Sequence, residues 1–276
     1  MMLRAPTNLS SLSQDLWYEA LKRLLAPMVT EQLVDIRVEG LENIPMDGPA
    51  LLVPNHRTMT DPFLLGAVVP RRIHFVVAGF LSRFPMSERI ISGTGNILLP
   101  VSKGGRSEEL IRKARRLLLQ GRLVGVFPEG VDNFVNGSAP GTVSPFHTSF
   151  ARLLVQMAVP HLPVVPIAIT GEEEQVLVQF PSQVMRALDP GNKAWVAGDV
   201  KGTIYRQARI KIGTPMSFDA FYHLSPEREA EGIQQIVRVV RDAVCELAGA
   251  PDAAKASISS SKKKALTGNL FDESDA

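Results

Sequence analysis

The sequence predicts an α/β fold: a single domain on a central, mostly parallel β-sheet flanked by helices, preceded by an N-terminal amphipathic helical segment. Two observations predict it. Short, nearly unbroken apolar runs such as Ala50-Leu51-Leu52-Val53-Pro54 and Leu123-Val124-Gly125-Val126-Phe127 read as strands buried on both faces. These runs alternate with segments of helical period, which is the pattern of a parallel sheet covered on both sides. The 276 residues are 45% hydrophobic and 21% charged, enough for one large domain, and no linker interrupts residues 34 to 215. The chain accordingly divides into a disordered start and helical segment (1–33), the domain (34–249) and a disordered tail (250–276).

Residues 1–14 are rich in Ser and Thr. Asp15 can cap a helix to about Leu33 whose apolar positions, Trp17, Leu21, Leu24 and Met28 among them, keep helical spacing, with Pro27 kinking or restarting it. Such a helix can lie in a membrane interface or pack on the domain. Strands are expected at Asp35–Glu39, Ala50–Asn55, Ile73–Val77 and Ile97–Leu99, with an irregular apolar helix or lid over 78–94. Ser107 to Gln120 reads as an amphipathic helix: Leu110, Ala114, Leu117 and Leu118 face the core and Gly121 stops it. Its Arg112, Lys113, Arg115 and Arg116 are either a solvated face or a site for anionic lipid or donor phosphates. Strands at Leu123–Phe127, Val164–Thr170 and Arg209–Gly213 follow, with a helix near Thr148–Ala158. Residues 172–208 read only as a helix or strand near Gln175–Leu188 and a Gly-containing loop to Arg206. Ser225-Pro226 opens a last helix to about Leu247.

Composition excludes several classes. A net charge of +2 does not suggest a nucleic-acid partner. The single cysteine, Cys245, excludes an internal disulfide framework, and its apolar-periodic surroundings favour a buried thiol. His74, His147, His161 and His223 lack metal-ligand spacing, so no metal is expected. The longest uncharged run, Leu153 to Gly171, contains Pro160, Pro163 and Pro166 and reads as helix end, turn and strand, not as a membrane span. The N-terminus shows no signal-peptide pattern.

The chemistry concentrates at two strand ends. Asn55-His56 follows the second strand, and Asp61-Pro62 opens an apolar helix with Asp61 as the expected N-cap. A loop that turns back into a helix brings the carboxylate to the imidazole, and a His held by a carboxylate is a general base of fixed tautomer. The plainer reading is a capping Asp and a loop His. About seventy residues later, Phe127-Pro128-Glu129-Gly130 closes another strand.

Together, in this order, these motifs resemble the glycerolipid acyltransferase family, most closely its bacterial 1-acyl-glycerol-3-phosphate acyltransferases. The resemblance runs from about Val38 to Pro215, including Val38-Glu39-Gly40-Leu41-Glu42-Asn43-Ile44-Pro45, Pro163-Val164-Val165-Pro166-Ile167-Ala168-Ile169 and Ile210-Lys211-Ile212-Gly213-Thr214-Pro215. It implies a glycerol-3-phosphate acyltransferase-like fold and transfer of an acyl group from acyl-CoA or acyl-carrier protein to lysophosphatidate, giving phosphatidate. In that reading His56 is the base and Asp61 its orienter, Glu129 and Gly130 bind the acceptor, and no cofactor beyond the acyl donor is required. It also implies peripheral or monotopic association with the cytoplasmic membrane face. No Gly-x-Ser-x-Gly elbow offers a serine nucleophile.

Three departures bear on the acceptor. Val131-Asp132-Asn133 stands where the family usually has Thr and a basic residue, Pro100-Val101 where it usually has Arg, and Phe146-His147-Thr148-Ser149 where it often has Gly. Lys103 and Arg106, beside Gly104-Gly105, are candidate replacement phosphate ligands, or plain solvated charges. The rivals are transfer to another lipid or pigment alcohol, a thioester hydrolase, and a non-enzymatic membrane-binding protein.

Overall fold

Strand β2 (Ala50–Pro54), buried at every position, lies at the centre of a seven-stranded sheet. The computed structural model describes residues 16, 19, 35–83, 91, 93–99, 106–131, 141–188, 195 and 199–249. The expected N-terminal helix, most of the expected lid, Lys103 and the C-terminal tail lie outside the described residues, as does the side chain of Arg106. In chain order the other elements are β1 (Asp35–Glu39), α1 (Asp61–Val68), β3 (Ile73–Val77), β4 (Ile97–Leu98), α2 (Arg106–Leu119), β5 (Leu123–Gly125), α3 (Ser149–Met157), β6 (Val164–Phe180), α4 (Ser182–Leu188), β7 (Val200–Ile212) and α5 (Pro226–Ala248).

The sheet order is β1-β7-β6-β2-β5-β3-β4, and every pair is parallel except β6 with β7. Because side chains alternate across a strand, β2 feeds two cores. Leu51 and Val53 pack with α2, α3 and α5 through residues such as Leu118, Phe150 and Ile236. Ala50 and Leu52 pack with Leu64 and Leu65 of α1 on the opposite face. Cys245 is buried in the first of these cores. The last helix begins after Ser225 with Pro226 in its first turn and ends at Gly249, whose φ of +65° suits glycine.

Two expectations change. Asp61 is the first residue of α1 and not its cap: Thr60 holds the cap position, and the Asp61 side chain turns back into the preceding loop. The stretch 172–208 is also more regular than expected. Strand β6 continues to Phe180 and β7 begins at Val200, so the two form a long antiparallel ribbon that runs on past the parallel sheet, with α4 between them. The last part of the expected loop to Arg206, from Val200 on, is therefore strand.

Candidate active site

The site sits at the carboxyl ends of β2 and β5, which are neighbours in the sheet, where open α/β sheets commonly place ligands. Asn55 anchors the loop that leaves β2. Its amide bonds both backbone groups of Ile169 on β6, accepting at 2.6 Å and donating at 2.9 Å. The next residue, His56, thereby points off a pinned backbone.

His56 and Asp61 meet. Nδ1 of His56 lies 2.9 Å from Oδ2 of Asp61, whose side chain is fully buried. A carboxylate can only accept, so Nδ1 carries the hydrogen and Nε2 is the basic nitrogen. Oδ2 also accepts the N–H of Arg57 at 2.7 Å and of Thr58 at 2.9 Å. Oδ1 accepts the Thr58 hydroxyl at 3.1 Å and the Tyr205 hydroxyl at 2.7 Å. The loop between the two residues therefore wraps its own carboxylate, which is how a five-residue separation closes. The imidazole lies flat on Phe127, with ring centroids 4.0 Å apart, and Phe127 in turn stacks on Phe75.

The Glu129 side chain, expected to bind the acceptor, is completely buried. Oε2 accepts the backbone N–H of His56 at 3.1 Å, and Oε1 accepts that of Ser144 at 3.0 Å. Burial raises its carboxyl to about 8, with the nearby Asp61 charge adding to the rise and the two N–H groups opposing it. There it meets two partly buried backbone donors that need an acceptor, and the turn continues through Gly130 at φ +62°. Gly130 itself lines the cleft, with the His147 ring beside it.

His56 forms part of the wall of a cavity of about 620 Å³. Its described lining is overwhelmingly apolar: Phe75, Phe80, Leu81, Phe127 and Leu110 on the sheet and helix sides, and Met185, Trp195 and Val200 from the ribbon and its connection. Val131, at one of the positions where a polar ligand is usual, also lines this cavity and packs with the Phe80–Trp195 cluster. Among the described residues Arg152, on α3, is the lysine or arginine that lines it; neither it nor His147 carries a motif that singles it out in the sequence. The described residues contain no grouping suited to a metal ion and no helix long and apolar enough to cross a membrane.

Sequence reasoning missed a second set. Arg57 pairs with Glu174 of β6 through Nε with Oε1 and through Nη2 with Oε2, the latter at 2.8 Å. Burial works against the Arg57 charge, but Glu174 outweighs it and the guanidinium pKa is raised. Tyr205 is fully buried, and burial together with the Asp61 carboxylate pushes its phenol well above the ordinary value, so it stays a donor. No local pattern marks either contact, because Tyr205 and Asp61 are 144 residues apart.

Residues 35–170 match the Acyltransferase family. The chain is 26% identical over 133 residues to the 1-acyl-sn-glycerol-3-phosphate acyltransferase of Saccharomyces cerevisiae, a match covering 48% of this chain and 43% of the yeast protein. It thus spans less than half the length of that relative. In fold it is similar to the 1-acyl-sn-glycerophosphate (LPA) acyltransferase PlsC of Thermotoga maritima, with a TM-score of 0.52, 22% identity, and coverage of 87% of this chain and 83% of that one. The stretch that matches the Acyltransferase family thus carries both His56 with Asp61 and Glu129 with Gly130.

Proposed function

We propose that the protein transfers a fatty acyl group from acyl-CoA or acyl-carrier protein to the free hydroxyl of 1-acyl-glycerol-3-phosphate, giving phosphatidate. The observation that carries this reading is the His56 imidazole, locked by a buried carboxylate, in the wall of an apolar cavity of about 620 Å³. A fixed base beside room for a hydrocarbon chain is what acyl transfer to an alcohol requires. His56 Nε2 takes the acceptor proton as the oxygen attacks the thioester carbonyl. The C–S bond then breaks, and the imidazolium returns the proton to the departing thiolate. A positioned base of this kind typically gives roughly a hundred- to ten-thousandfold. Asp61 orients the ring and stabilises the imidazolium.

For the acceptor phosphate, Arg152 is the described cation at the cavity, beside which Lys103 and Arg106 remain proposals from the sequence. Arg suits the task because its planar fork donates two hydrogen bonds to one phosphate. Val131 in the wall favours a second reading, transfer to an uncharged lipid or pigment alcohol. We place the protein on a membrane surface at its cytoplasmic face, where a lysolipid is presented. Met59 and Phe63, 42% and 45% exposed, flank the His56 loop and support that placement.

The test is product analysis by mass spectrometry with both donors and a panel of acceptors, on the parent, His56→Ala and Arg152→Ala proteins. His56→Ala should abolish turnover. Arg152→Ala should raise KM for lysophosphatidate about tenfold and leave kcat nearly unchanged, as loss of uniform binding does. Preference of the parent for an uncharged monoacylglycerol refutes the lysophosphatidate assignment, and full activity of His56→Ala refutes the mechanism.

A further inference from the structure

From Gly171 on, the β6–β7 ribbon lies beyond residues 35–170, the stretch that matches the family model, yet it reaches back to the reactive pair. Glu174 on β6 and Tyr205 on β7 face each other in register. Glu174 holds Arg57, the residue after His56, and Tyr205 donates to Asp61 Oδ1 at 2.7 Å. One cross-strand pair therefore grips both ends of the loop that carries the base. Gly171 makes room for that grip: a Cβ there would lie 2.5 Å from Glu174 Oε1 and 2.7 Å from the Tyr205 ring. Shifts of register between Gly171 and Glu174 set this row.

We infer that Tyr205 is a positioning residue for the reaction: its hydroxyl fixes Asp61 Oδ1 so that Oδ2 stays on His56 Nδ1. Asp61 can pivot about its last torsion, which is a soft one. Without the phenol, Oδ1 keeps only the longer contact to Thr58 Oγ1 at 3.1 Å. Packing alone does not require the hydroxyl, because a Phe ring fills the same space in the buried row. Small misplacements of a catalytic group are costly, up to roughly a hundredfold for 1 Å.

The inference rests on His56 as base, and the experiment separates the two. In the full chain, Tyr205→Phe should lower kcat about tenfold, with KM for both substrates within about twofold and the melting temperature within a few degrees. NMR without substrate should show the downfield His56 Nδ1–H proton of the parent shifted or broadened. Gly171→Ala, which displaces Glu174 and Tyr205 together, should reproduce both effects. A Tyr205→Phe protein with parental kcat and an unaltered resonance overturns the inference, as does a loss of kcat that only tracks the loss of folded protein. The resonance is read without turnover, so a wrong acceptor assignment leaves this test standing. Parental activity in His56→Ala would sink the mechanism and leave the ribbon's hold on the loop intact.

Discussion

Replacing Asp61 with Asn separates the carboxylate's charge from its hydrogen bonds. Five donors converge on it: His56 Nδ1 and two backbone N–H groups on Oδ2, and the hydroxyls of Thr58 and Tyr205 on Oδ1. An amide has one accepting oxygen and one donating nitrogen. With its oxygen toward His56 and the two N–H groups, its nitrogen meets two hydroxyls, which can rotate to accept. The cost to folding is therefore modest, about 1–3 kcal/mol. Catalysis loses more. In the proposed reaction the imidazolium formed on His56 has its Nδ1 2.9 Å from Oδ2. Taking roughly 4 Å between charge centres and an effective dielectric constant of about 20, the attraction is about 4 kcal/mol. That corresponds to about a thousandfold in rate. Steady-state kcat of Asp61→Asn with lysophosphatidate, beside its thermal melt, measures both terms. A folded Asp61→Asn protein with kcat within about tenfold of the parent would refute the charge argument.

Two further outcomes follow from the same geometry. Burial raises the Glu129 carboxyl from 4.5 to about 8, so the folded chain binds more protons than the unfolded one inside that window. Stability should fall as pH rises from about 4.5 to about 8 and level off beyond. Glu129→Gln has no proton to lose there, so its melting temperature should fall less steeply with pH; two parallel curves would overturn this. In Gly125→Ala the new Cβ would stand 2.6 Å from the Phe75 ring, which stacks on Phe127 and through it on His56. Overpacking should cost about 1–3 kcal/mol, and kcat should fall as the stack shifts; an unchanged kcat per folded molecule would show that the stack does not position the base.

The parallel part of the fold was legible because its strands are buried on both faces. Ala50 to Pro54 and Leu123 to Gly125 have no exposed side, and such runs stand out against charged helices. The ribbon was not. Gly171-Glu172-Glu173-Glu174 carries three charges and register shifts, which break the alternation by which a half-exposed strand is recognised. At the site, His56 and Asp61 were legible because their contact is local and closed by backbone turns. Glu129 was legible as a turn residue, but whether its carboxylate faces the cleft or the core depends on the Ser144 N–H, which no pattern near residue 129 announces. Tyr205 and Glu174 were invisible for the same reason at longer range.

The first strand of this sheet pairs with the last, Asp35 opposite Gln207, and that order has a consequence for biosynthesis. A ribosome completes His56 and Asp61 long before the residue that steadies them, 144 positions later for Tyr205. At about 5–20 residues per second, the delay is on the order of ten seconds. Throughout it, β2 has no completed ribbon and no final helix to cover it, and long-range parallel pairing is intrinsically slow. Over that interval the apolar residues of β2 lack their later cover and Asp61 lacks its contact with Tyr205. Chains released before Val200 carry both motifs of the family and should bind chaperone without turning over substrate.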